Sequence, residues 1–125
     1  MVPYPKSSSD DASTLDRVSS ELRNSKSSDS PVAALVIQPV QCGTGYAVSD
    51  SFMKELRSLT NDNGAALIID ETYTNCGATG KSFFAYQGDA DYVVFGKKTQ
   101  VSGFFSRPES KHASLTFGGD NLSLL

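Results

Sequence analysis

The chain has no tryptophan, one histidine, two cysteines and two methionines among its 125 residues. Two cysteines and one histidine cannot complete a four-ligand structural zinc site. Cys42 and Cys76 lie far apart in the sequence and read as reduced thiols. Basic charge is also scarce. Eleven Lys and Arg residues face fourteen acids, for a net charge of -3. A nucleic-acid binder needs a basic surface to displace counterions from phosphates, so no nucleic-acid partner is expected. No apolar run approaches the ~20 residues a membrane helix needs, and no membrane association is expected. The longest run, Val32 to Ile37, has the length of a buried strand. The opening Met1-Val-Pro-Tyr-Pro lacks the regions of a secretory peptide, and Asp10, Asp11 and Asp16 run against a transit peptide. His112 stands in a polar stretch without an acid or serine pattern for a triad, and reads as a surface residue.

What is present divides into two parts. Residues 1–30 are rich in serine, with Leu15, Val18 and Leu22 at a spacing that predicts a short amphipathic helix over about 12–23. Residues 31–125 carry the apolar segments. The run at 32–37 suits a strand buried on both faces, and Pro39 ends it. Phe52, Leu56 and Leu59, with Met53 beside them, predict a helix over about 50–62. Ser49 or Asp50 can cap its start, and Gly64 can stop it in the left-handed conformation. A second run at 65–69 ends in Asp70 and Glu71. Strand, helix, strand in this order is a βαβ unit with parallel strands. Further strands are expected at 92–95 and at 101–106, the last interrupted by Gly103. The fold class is α/β.

In open α/β sheets ligands bind outside the carboxyl ends of the strands. Asp70 and Lys97 each follow an expected strand, so neighbouring strands would bring a carboxylate and an amine to one crevice. A lysine amine can form a Schiff base with an aldehyde cofactor. An aspartate against the ring nitrogen of such a cofactor favours its protonated form. Asp70, first past the apolar run, is preferred to Glu71. The same spacing also fits a plainer arrangement, in which Asp70 caps a turn and Lys97 is solvated. The loop at 75–82 is not a nucleotide phosphate loop. That pattern needs glycine where this chain has Asn75, and two acids precede it. Gly77 and Gly80 read as turn residues.

Five pieces in order, Gln38-Pro-Val-Gln41, Asp70-Glu71, Gly77-Ala-Thr-Gly-Lys81, Phe95-Gly-Lys-Lys98 and Gly103-Phe-Phe105, resemble the class III aminotransferases that use pyridoxal 5'-phosphate (PLP), and within them the 4-aminobutyrate branch. A weaker match follows at 116–120. The resemblance implies part of the large domain of a fold-type I PLP-dependent transferase, with residues 31–125 as a piece of that domain. It implies Lys97 as the catalytic lysine and proton carrier, Asp70 as partner of the pyridine nitrogen, and Thr116 as a contact to the cofactor phosphate of a second subunit. Tyr73 stands where the family has a glutamine beside the cofactor ring, and Gln38 where it has a glutamate that manages the substrate carboxylate. The implied reaction is amino transfer from an omega-amino acid such as 4-aminobutyrate to a 2-oxo acid. The implied setting is a homodimer in the mitochondrial matrix, or otherwise the cytoplasm. Family members are several times longer, so the chain is expected to be a fragment that works with the rest of the fold or a second subunit. The alternative is a degenerate, non-catalytic structural subunit of a large protein assembly.

Overall fold

The structure is a computed structural model, and it describes residues 1–80 and 82–107. Lys81, His112 and Thr116 lie outside the described residues. After a 3-10 turn at Ser8–Asp10, the elements are α1 (Asp11–Ser25), β1 (Ala34–Ile37), α2 (Asp50–Asn63), β2 (Ala66–Asp70), β3 (Tyr92–Phe95) and β4 (Gly103–Ser106), with a second 3-10 turn at Lys97–Thr99. One sheet runs β1-β2-β3-β4. β1 pairs parallel with β2, β2 pairs parallel with β3, and β4 returns antiparallel on β3. The expected α/β class and βαβ unit are therefore present, with an antiparallel edge strand added.

The boundaries differ from the expectations where local chemistry is weak. α1 extends beyond 12–23 at both ends. β1 starts two residues later than the apolar run, at Ala34. The expected strand at 101–106 begins only at Gly103, which pairs with Phe95. A Cβ on Gly103 would come within 2.9 Å of the Phe95 ring, so glycine leaves that ring room to lie across the strand.

α2 forms where its signals are strongest. Ser49 Oγ accepts from the Phe52 N–H at 3.1 Å and also donates to Asp11 Oδ2 at 3.2 Å, so one hydroxyl caps α2 and ties it to the start of α1. At the other end Gly64 sits at φ 68°, and its N–H reaches the carbonyls of Asn61 and Thr60. An added Cβ there meets nothing within 4 Å, so the cost of a substitution is conformational. Gly64→Ala is expected to lower the unfolding free energy by about 1 kcal/mol in urea titrations.

The core lies between the two helices and one face of the sheet. Leu15, Val18 and Leu22 of α1, Phe52, Met53 and Leu56 of α2, and Ile37, Leu67 and Ile69 of the strands form one buried cluster. Each such side chain contributes about 1.5–3 kcal/mol of burial. Strand side chains alternate between faces, so Val36, Ile68 and Tyr92, which are register partners, point to the other face. That face is open: Val36 is 63% exposed and Phe104 is 47% exposed.

Candidate active site

Two parallel strands end side by side at the candidate site. Asp70 is the last residue of β2 and pairs in register with Val94 of β3, two residues before Gly96 and Lys97. The condition for bringing the Asp70 carboxylate and the Lys97 amine to one crevice, that their strands be neighbours, is met.

Asp70 is half-buried and has defined partners. Its Oδ1 accepts from the Thr72 N–H at 3.0 Å and the Thr72 hydroxyl at 2.7 Å, so the carboxylate does cap the turn that follows β2. Among the described residues its Oδ2 accepts only from Gln38 Nε2, at 3.3 Å. Gln38 is itself held, because its Oε1 accepts from the Cys42 N–H and its carbonyl accepts from the Tyr4 hydroxyl at 2.9 Å. Burial of the Tyr4 hydroxyl, and then the neighbouring Tyr46 and Asp11, push its pKa up to about 12. It therefore remains a donor to Gln38 across ordinary pH.

Lys97 meets Tyr73 rather than Asp70. Its Nζ lies 3.6 Å from the centroid of the Tyr73 ring, a cation–π contact. Among the described residues, Lys97 and Asp70 form no ion pair. Lys97 also adopts φ 56°, a left-handed conformation uncommon for a residue with a side chain. Gly77 and Gly80 take positive φ values, as turn residues do.

Two residues at the site were given no such part by the sequence. Glu71 is wholly buried, and its carboxylate accepts from the Thr74 hydroxyl, the Ala85 N–H at 3.1 Å and the Tyr86 N–H at 2.8 Å. Asn75, also wholly buried, donates from Nδ2 to the carbonyls of Glu71 at 2.9 Å and Gly96 at 2.8 Å. The available signal was an acid directly after an apolar run, followed by turn-forming residues. It marks a strand end but not the carbonyls and amides, 14 to 21 residues away, that satisfy these groups.

An aldehyde cofactor with a protonated ring nitrogen needs a carboxylate with a free acceptor position and a lysine without a carboxylate partner. Among the described residues, Asp70 Oδ2, with its single long contact, and Lys97 supply both, so these residues fit PLP at its ring and aldehyde ends.

The family model for class III aminotransferases matches residues 1–116. The 4-aminobutyrate aminotransferase of Mycosarcoma maydis is 38% identical over 91 residues, which cover 68% of this chain and 18% of that protein. The mitochondrial 4-aminobutyrate aminotransferase of Sus scrofa is 31% identical over 106 residues, 80% of this chain and 21% of that protein. Among solved structures, the lysine aminotransferase from M. tuberculosis in the internal aldimine form aligns with a TM-score of 0.69 and 31% identity, over 77% of this chain and 22% of that one. The ornithine delta-aminotransferase of Plasmodium falciparum aligns with a TM-score of 0.65 and 27% identity, over 87% of this chain and 31% of that one. The chain thus spans 18% and 21% of the length of the two curated relatives.

Proposed function

The chain belongs to the class III aminotransferases, a PLP-dependent family, and from that premise we propose that it supplies the lysine and ring-nitrogen partner of a transaminase acting on an omega-amino acid such as 4-aminobutyrate and a 2-oxo acid. The observation that carries this reading is the placement of Asp70 and Lys97 at the ends of adjacent parallel strands. When bound, PLP supplies an aldehyde for covalent capture and a ring that takes up an electron pair. With PLP held there, the Lys97 amine, turned from the Tyr73 ring, would be the group that holds the aldehyde end. The same amine, when free, would carry a proton to and from the substrate carbon. Asp70 Oδ2 would favour the protonated form of the ring nitrogen, while Thr72 holds Oδ1 in place. Gln38 shares Oδ2, and in this reading it takes the place of the glutamate that, by resemblance, manages the substrate carboxylate.

The 4-aminobutyrate specificity is supported by the names of the relatives from M. maydis and Sus scrofa. A mitochondrial location is supported by the porcine and human relatives, whose names include "mitochondrial", although those of M. maydis and Dictyostelium discoideum do not; the matrix follows from the resemblance alone. The family generally forms dimers, and a homodimer, with Thr116 reaching the phosphate of the partner's cofactor, is part of the same reading. The rest of an aminotransferase fold, in the same chain or another, completes the pocket. A second reading, a non-catalytic structural subunit of a larger assembly, is favoured by Gln38 and Tyr73, which stand where the resemblance leads one to expect a glutamate and a glutamine.

The test is covalent capture. PLP is added to the purified chain, borohydride reduces any lysine adduct, and peptide mass spectrometry locates it. The expected result is modification at Lys97 that disappears in Lys97→Ala. Absence of any adduct, with the chain co-purifying in a large complex, would overturn the catalytic reading in favour of the second.

A further inference from the structure

Lys97 is followed at once by a second lysine, Lys98, in the same short 3-10 turn. Which amine is presented at the strand ends depends on how the backbone enters that turn. The entry is unusual. Gly96 is extended, and Lys97 then turns into the left-handed region at φ 56°. A Cβ disfavours that conformation, so it persists only where the surroundings over-determine it.

The surroundings do so from the β2 side. Asn75 Nδ2 donates to the Gly96 carbonyl at 2.8 Å, to the Glu71 carbonyl at 2.9 Å and to the Thr72 carbonyl at 3.3 Å. Asn75 is wholly buried, and among the described residues its Oδ1 has no partner. Carbonyls can be met only by the amide's N–H groups, so this orientation of the side chain is set by its neighbours. The Asn75 backbone N–H donates to the Glu71 carbonyl at 3.0 Å, and the Glu71 carboxylate grips the amides of Ala85 and Tyr86. A Cβ on Gly96 would lie 2.7 Å from Ser102 Oγ. The peptide before Lys97 is thus held by Asn75 at its carbonyl, with Ser102 leaving no room for a side chain on Gly96.

We propose that Asn75 is a positioning residue that selects Lys97 over Lys98 as the amine offered at the strand ends. The proposal rests on the transaminase reading for the use of that amine, but not for the geometry. Without the Asn75 amide, the Gly96 carbonyl loses its buried donor. Lys97 then relaxes out of the left-handed conformation, and the two lysines exchange freely between presented and solvated positions.

Two measurements on the full chain test this. The first is hydrogen exchange of the amides at 96–100 without cofactor. The second is the Lys97-to-Lys98 ratio of borohydride-trapped PLP adducts. Asn75→Ala removes the amide, and Asn75→Asp keeps its shape while turning acceptors toward the carbonyls. Leu56→Val, a core change in α2, controls for general loss of stability. Both Asn75 variants are expected to speed exchange at 96–100 and to lower the adduct ratio by about tenfold, while Leu56→Val leaves the ratio at its wild-type value. Wild-type exchange and an unchanged ratio in a folded Asn75 variant would overturn the proposal. A fall of the ratio in Leu56→Val as large as in Asn75→Ala would also overturn it. If wild-type protein takes no adduct at Lys97, the transaminase reading fails by itself, and exchange at 96–100 still decides the role of Asn75. If Asn75→Ala does not fold, the isosteric Asn75→Asp provides the comparison.

Discussion

Glu71→Ala is expected to lower the unfolding free energy by about 3 kcal/mol, measured by urea titration against the wild-type chain. The carboxylate is wholly buried and is the acceptor for the Thr74 hydroxyl and for the amides of Ala85 and Tyr86. Alanine leaves all three donors without the wholly buried acceptor that they share, and an unpaired buried donor costs its full desolvation penalty. Glu71→Gln is the informative companion. It preserves volume and one acceptor oxygen but turns an NH2 group toward donors, so it should recover only part of the loss. Equal stability of Glu71→Ala and wild type would show that the loop at 82–86 is held by something other than this carboxylate.

Arg57→Ala is expected to lower the unfolding free energy by about 2 kcal/mol, between the small value of an exposed pair and the larger one of a buried pair. Arg57, on α2, makes two bonds to Asp91, at 2.5 and 3.1 Å, and one to Asp89 at 3.0 Å. Its side chain is only 11% exposed. Asp91 Oδ2 also accepts from the Leu67 N–H at 2.8 Å, and the Asp91 N–H returns to the Leu67 carbonyl at 3.0 Å. One carboxylate therefore joins α2, the start of β2 and the chain entering β3. The side-chain hydrogen bonds from Arg57, and then the Leu67 N–H, hold the Asp91 carboxyl below its ordinary pKa. A carboxyl depressed in the folded state contributes stability above its unfolded value and loses it as pH falls through the folded one. The stability gap between wild type and Asp91→Asn should therefore be full at neutral pH and close below about pH 4. A gap independent of pH would show that the charge of Asp91 is not what stabilises the junction.

Much of the scaffold was legible before any coordinates. The α/β class, the βαβ unit, the helix at 50–62 with its Ser49 and Gly64 ends, and the strand at 92–95 follow from apolar periodicity and from end signals that act within a few residues. The family was legible too, through five short motifs in order. The boundaries of β1 and β4 were not, because neighbouring strands decide where pairing begins, and their register is not written in the segment itself. Thr116 and His112 fall outside the described residues.

The strand-end pair shows where the division falls. Sequence by itself determined that a carboxylate and an amine, Asp70 and Lys97, stand at strand ends, because the turn from apolar run to charge is local. Only the tertiary structure decided how they are held. Lys97 rests on the Tyr73 ring, Asp70 is shared between Thr72 and Gln38, and the left-handed entry to Lys97 is braced by Asn75 from 21 residues away. Burial and hydrogen bonding at that separation depend on which strands become neighbours. Periodicity and propensity report what one segment prefers, and cannot register a carbonyl that reaches the site only after the sheet has formed.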